Sequence, residues 1–190
     1  MRPVDRPVED APGDGPGPER APFDREAYER RVLEGPCFVC RTVAHDPAYR
    51  HEIVYEDEEF IAFLDRWPTL VGRTLVAPRR HLEHVVGDLD LLAFQRLMAV
   101  VHAVGRAVER AVPTERLYLA SLGSQQGNRH LHWHVASLPP GVPYERQQLH
   151  ALAAEHGVYR LDAAEQARLA ARIRAHLAPP AGAAAKEDGM

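Results

Sequence analysis

Cysteine is scarce in this chain of 190 residues, which has only two, Cys37 and Cys40. That scarcity excludes a disulfide framework as the organising device and fits a reducing compartment. Long apolar runs are also missing; none approaches the ~20 residues that a membrane-spanning helix requires. The opening segment, Met1 to Pro22, has no apolar stretch of the kind a signal peptide carries, so a cytoplasmic protein is expected. Positive charge is not in excess. Lys and Arg number 23 against 27 Asp and Glu, the net charge is -4, and no basic stripe is visible, which argues against binding a DNA or RNA duplex.

What is present suffices for one domain with a sizeable core and two tails. Residues 1–22 hold six prolines and almost nothing to bury, so disorder is expected there. The Ala-, Gly- and Pro-rich residues 178–190 read as a second disordered tail. Between them, residues 23–177 form the predicted domain. Asp24 to Leu33 reads as a short helix capped by Asp24, and Cys37-Phe38-Val39-Cys40 as a tight knuckle after Gly35-Pro36. His51–Tyr55, Phe60–Asp65 and Thr74–Ala77 read as strands. A long helix over about Asp88–Val112 carries one apolar stripe, with Phe94, Leu97, Met98, Val101, Val104, Val108 and Val112 stepping by three and four. Arg116–Leu122 alternates as a strand, and Tyr144–Glu155 and Asp162–Leu177 are predicted helices. This order predicts an α+β fold, an antiparallel sheet of about five strands with a long packed helix and C-terminal helices.

The chemistry concentrates in His130-Leu131-His132-Trp133-His134-Val135-Ala136. Alternation with period 2 predicts a half-buried strand with the three imidazoles on one face and Leu131, Trp133 and Val135 on the other. Imidazole titrates near neutrality, so three together point to proton transfer, nucleophilic attack or metal ligation. All three binding one metal is one reading. Cys37 and Cys40 form a C-x-x-C pair that needs two more ligands to close a tetrahedral zinc site. A redox dithiol would instead be expected inside a βαβ unit, which this order of elements does not supply.

His-x-His-x-His followed by two small apolar residues resembles the histidine triad (HIT) family of nucleotide hydrolases and transferases. Three further segments, in the same order, extend the likeness over about residues 36–140. Phe60-Ile61-Ala62-Phe63-Leu64-Asp65 resembles a strand ending in a ribose-binding aspartate. Gly72-Arg73-Thr74-Leu75-Val76-Ala77-Pro78-Arg79-Arg80-His81 resembles Gly-His-x-Leu-Val-Ile-Pro-Lys-x-His. Cys37 to Cys40 resembles the knuckle of the zinc-containing members. The resemblance implies that His132 attacks the α-phosphorus of a nucleotide to give a nucleotidyl-histidine, with His134 contacting the phosphate. It implies a structural zinc on Cys37, Cys40, His81 and His130, with His84 as a weaker substitute for His81. It implies ribose binding by Asp65 and a homodimer joined through the long helix. Phe63, with Phe38, Val39 and Leu64, is expected to wall a base pocket. Ser124, Gln126, Gly127 and Asn128, with the backbone N–H groups of the Gly123–Asn128 loop, are expected at the phosphates.

The expected activity is hydrolysis of a phosphoanhydride or phosphoramidate bond at the α-phosphate. Nucleotidyl transfer and nucleotide binding with vestigial turnover are the alternatives. Two departures bear on the substrate. Many relatives carry a hydroxyl residue where Gly127 stands, near the bridging oxygen, so Ser124 or Asn128 is left to replace it. The residue after the aspartate, usually aliphatic, is Arg66. The six remaining histidines, His51 among them, read as surface residues.

Overall fold

The computed structural model describes residues 19–177. The expected five-stranded antiparallel sheet is present, built from β2 (Ile53–Glu56), β3 (Phe60–Leu64), β4 (Thr74–Pro78), β5 (Arg116–Ala120) and β6 (Trp133–Leu138) in the order β2-β3-β4-β6-β5. A separate pairing joins β1 (Arg20–Ala21) to β7 (Val158–Tyr159). The helices are α1 (Arg25–Glu34), α2 (Phe38–Val43), α3 (Leu91–Ala111), the one-turn α4 (Leu149–Leu152) and α5 (Ala163–Ala175).

Both faces of β3 and β4 are buried, and the two faces do different work. Ala62, Leu64, Val76, Leu131 and Val135 pack with Leu97, Val101, Val104 and Val108 of α3 and Leu169 and Ile173 of α5 into the main core. Ile61, Phe63, Leu75 and Ala77 point the other way, against Val39 of α2. Helix α3 starts where Asp90 caps it by accepting from the Ala93 amide at 2.8 Å. Its 21 residues meet the length and apolar composition of a membrane span. Its apolar stripe, however, is spent on this core.

Several boundaries differ from the sequence reading. The histidine strand begins at Trp133, so His130 and His132 precede it. The cause is Pro78: the last β4–β6 pair is Val76↔Trp133, and the next residue of β4 in phase has no N–H to donate. The Leu131 amide turns instead to the Leu82 carbonyl at 2.6 Å. Tyr144–Glu155 is not one helix but two single 3-10 turns flanking α4, interrupted at Gln148, whose φ is +55°. Arg20 and Ala21, expected in a disordered tail, are placed by main-chain pairing that needs no apolar side chain. Arg20 adds guanidinium bonds to the carbonyls of Thr69 at 2.8 Å and His156 at 3.1 Å. The rest of the expected tails, residues 1–18 and 178–190, lies outside the described residues.

Candidate functional site

The reactive side chains gather on the α2 side of the sheet, at the end where β3 and β4 meet the approach to β6. They line a cavity of about 340 Å³. His132 is 4 % exposed, and its Nδ1 lies 2.7 Å from the His130 carbonyl. A carbonyl only accepts, so Nδ1 carries the proton and Nε2 is left with a free lone pair. Ser121 donates to the His132 carbonyl at 2.9 Å, which fixes the same backbone from the other side. The rings of Phe38 and His134 meet His132 edge-on at 5.6 and 4.9 Å. Burial holds the His132 imidazole below its usual titration range.

His134 has the opposite tautomer. Arg73 Nη2 donates to His134 Nδ1 at 3.0 Å, so the imidazole proton sits on Nε2. Burial first, then the Arg73 charge, pushes this imidazole down to about 3. Arg73 reaches this point from the turn at Gly72, whose φ of +82° suits glycine. The register pair Leu75↔His134 brings the two segments together. The same guanidinium donates from Nη1 to the fully buried Thr69 at 3.1 Å. Its Nε lies 3.2 Å from Asp65 Oδ2 with the N–H aimed off the carboxylate, an ion pair without a directed hydrogen bond. Asp65 Oδ1 accepts from the Trp67 amide at 2.9 Å. A carboxylate has about four acceptor positions; with the Trp67 amide on one and the Arg73 guanidinium set against another, two remain for further donors. Sequence reasoning passed over Arg73. Its signal was the arginine standing where the resembled motif has histidine.

The nucleotide-binding residues expected from the sequence divide. Asp65, Gln126, Gly127 and Asn128 line the cavity. Phe63 is fully buried behind it, 4.8 Å from the His51 ring, and His51, expected on the surface, takes its place on the wall. Ser124 is exposed, and its Oγ accepts from the Gln126 amide at 3.1 Å within the loop. The expectation of free loop amides also needs correction. Ser124 and Gly127 exchange N–H···O bonds of 3.2 Å in both directions, so the amides of Ser124, Gln126 and Gly127 are committed to the loop itself.

Helix α1 supplies a wall that the sequence did not reveal. Its Tyr28, Arg31 and Val32, at i, i+3 and i+4, share one face and line the cavity. Asn128, held at φ +56°, donates from Nδ2 to the Tyr28 hydroxyl at 2.6 Å. The Tyr28 ring stands edge-on to Trp67 at 5.5 Å, and the Arg31 guanidinium lies over the Tyr49 ring at 4.5 Å. A Cβ on Gly127 would approach Val32 Cγ1 closer than 3.0 Å. Glycine stands there because α1 occupies the space of a side chain.

Beside the cavity, Cys37, Cys40, His81 and His130 bring one ligand atom each to within 4.8 Å of one another. The measured edges are 3.3 Å from Cys40 Sγ to His81 Nδ1 and 3.5 Å from His130 Nδ1 to each sulfur. A tetrahedral zinc with bonds of about 2.0–2.3 Å has edges of roughly 3.3–3.8 Å, so the donor set fits that ion. Both outer imidazole nitrogens are also engaged. His130 Nε2 donates to the Pro78 carbonyl at 2.8 Å, and His81 Nε2 lies 3.2 Å from Glu83 Oε1. Such outer partners orient metal-bound histidines. Burial, with the neighbouring Cys37 sulfur, pushes the Cys40 thiol up to about 11, and burial takes His130 down to about 4. His84 is exposed and outside the cluster, and His130 is turned from the cavity pair toward the cysteines.

The sequence profile of the HIT domain matches residues 47–140. The protein hit of Bacillus subtilis is 34% identical over 104 residues, spanning 54% of this chain and 70% of that protein. This chain belongs to the HIT family. An uncharacterized HIT-like protein of Saccharolobus solfataricus is 31% identical over 103 residues, 52% of this chain and 71% of that one. Among solved structures, a hypothetical histidine triad nucleotide-binding protein of Sulfolobus tokodaii aligns with a TM-score of 0.60 at 26% identity, covering 74% of this chain and 91% of that chain. A Zn-bound histidine triad family protein of Mycobacterium smegmatis aligns with a TM-score of 0.57 at 26% identity, covering 74% and 92%. Helix α1 and the two cysteines precede the segment that the HIT profile matches.

Proposed function

We propose that this HIT protein hydrolyses a phosphoanhydride or phosphoramidate bond at the α-phosphate of a nucleotide, through a nucleotidyl intermediate on His132. The observation that carries this reading is the 2.7 Å contact from His132 Nδ1 to the His130 carbonyl, which leaves Nε2 free at the cavity. A neutral imidazole with one nitrogen so committed is a nucleophile that requires no base to activate it. His134, with its proton on Nε2, and Arg73 supply donors for the charge that builds on the phosphoryl oxygens. Water then attacks the phosphorus, and the N–P pair returns to His132. The two remaining acceptor positions of Asp65 suit the 2′ and 3′ hydroxyls of ribose. Phe38 and His51 offer flat ring surface for a base.

A zinc on Cys37, Cys40, His81 and His130 belongs to this reading as a structural ion, tying the start of α2 to the approach of the histidine strand. The Zn-bound relative supports it. A cytoplasmic location goes with reduced cysteine ligands. A homodimer joined through α3 is part of the same proposal. Ala99, His102, Ala103, Arg106 and Arg110 of that helix are exposed, and β5 is an edge strand with Leu119 exposed beside it.

The test is a screen of nucleotide phosphoramidates, dinucleoside polyphosphates and nucleotide sugars, with the wild type beside His132→Ala. The wild type should turn over at least one class, and the variant should lose several orders of magnitude in rate while still binding nucleotide. Transfer to an added acceptor faster than hydrolysis would select the transferase alternative. Tight binding with no turnover would select the binding module.

A further inference from the structure

We propose that Tyr28, on the helix preceding the segment that the HIT profile matches, is a catalytic residue: its hydroxyl donates to the atom that leaves the α-phosphorus. The inference rests on the hydrolase reading above and names a donor where Gly127 has no hydroxyl to offer. Gly127 has no side chain, and Val32 of α1 fills the volume where one would grow. The amides of Ser124, Gln126 and Gly127 bond within the loop, and Ser124, whose Oγ accepts from the Gln126 amide, is not part of the cavity lining. The helix that displaces a side chain at Gly127 brings a hydroxyl of its own. Tyr28 lines the same cavity as His132, and its oxygen accepts from Asn128 Nδ2 at 2.6 Å. A phenol that accepts one bond from the loop keeps its own O–H to donate elsewhere. The edge-on contact with Trp67 braces the ring, so the donor is held in place before substrate arrives.

The His132 Nε2 lone pair forms the N–P bond while the bond from phosphorus to the leaving atom breaks, its electron pair passing to that atom. Tyr28 hydrogen-bonds the growing charge and stays protonated; burial, which raises its pKa, favours this over proton transfer. The departing group takes its proton from water. Water attack on phosphorus then releases the nucleoside monophosphate and returns the pair to His132.

A donor of this kind matters most when the leaving group is poor. The experiment compares wild type and Tyr28→Phe on adenosine monophosphate esters of phenols and alcohols with graded pKa, reading kcat/KM and the His132 adduct. Removing one hydrogen bond to a charged atom should slow the poorest leaving groups by about ten- to a hundred-fold, and activated phenols by less than about two-fold. Phenylalanine keeps the ring against Trp67, so a purely structural role would lower all rates alike. A uniform loss, or none, overturns the proposal. Asn128→Ala, which frees the phenol without removing it, should steepen the same dependence less, and it carries the comparison if Tyr28→Phe does not fold. If the wild type forms no His132 adduct with any ester, nucleotide phosphoramidate, dinucleoside polyphosphate or nucleotide sugar, the hydrolase reading falls and Tyr28 with it. If the adduct forms and Tyr28→Phe matches wild type throughout, Tyr28 alone is removed.

Discussion

Gly127→Ala places a methyl group where Val32 already sits. The new Cβ would lie within 3.0 Å of Val32 Cγ1, while ordinary carbon contacts fall at about 3.5–4.0 Å, so α1 or the loop must retreat. Valine in a helix holds one favoured rotamer and yields little. Overpacking of this kind costs about 1–3 kcal/mol. In a domain of this size each kcal/mol moves the melting temperature by roughly 2–4 °C, so a fall of about 2–12 °C is expected. Gly127 is absent from the positive-φ positions, so the penalty is steric and not conformational. It should therefore shrink when the obstacle is trimmed. In a Val32→Ala background Gly127→Ala should cost at least about 1 kcal/mol less, a coupling that a double-mutant cycle resolves. Hydrogen exchange should show the Gly127→Ala protein losing protection in α1 before the sheet. An unchanged melting temperature, or equal costs in both backgrounds, would refute the packing of α1 on this loop.

Other expected outcomes follow from the same contacts. Arg73→Lys keeps the charge but cannot serve Asp65, Thr69 and His134 together, so turnover should fall by about ten-fold or more; ¹⁵N NMR should show His134 losing its single Nε2–H tautomer, and an unchanged tautomer would refute the assignment. Metal analysis should find one zinc per chain. At a thousand-fold excess over its Kd that ion stabilises by about 4 kcal/mol, so chelation or Cys40→Ser should lower the melting temperature by roughly 8–16 °C; stable, zinc-free protein would contradict the site. His134 titrates near 3 when folded but near 6.5 when unfolded, so below about pH 6.5 the unfolded chain binds the extra proton and stability falls with pH. Between pH 7 and 5 the wild type should therefore lose about 2 kcal/mol more than His134→Gln in denaturant titrations, and equal losses would exclude a buried neutral imidazole.

What the sequence disclosed and what it hid follow from the range over which each feature is encoded. Strands β3 and β4 and the stripe of α3 lie within single segments whose periodicity is local, and their boundaries agree within a few residues. Cys37 and Cys40 were legible as a ligand pair because ligand chemistry limits the residue types that can share an ion, whereas His81 and His130 came only from the resemblance to the HIT family. Arg73 was not, because its partners Asp65 and His134 become neighbours only through the β3–β4–β6 register. The inward face of α1 was hidden for the same reason. Tyr28, Arg31 and Val32 are ordinary surface residues until the loop at Gly127 closes on them. The expected helix over Tyr144–Glu155 failed at Gln148, whose left-handed backbone no composition signal announced. His51 had no pattern of its own; its Nδ1 is fixed by the Leu64 carbonyl at 3.0 Å, a contact from the segment before β2 to the end of β3.

The central claim is that His132 becomes covalently attached to the nucleotide. Rapid quenching of the wild-type protein with a substrate labelled at the α-phosphorus, followed by peptide mapping, tests it most directly. The label should approach one equivalent per chain at saturation in the variant or condition that slows water attack. It should sit on the His132 peptide, with the acid lability of a phosphoramidate, and be absent from His132→Ala. Turnover without any label on His132, or label persisting at full level in His132→Ala, would contradict the account.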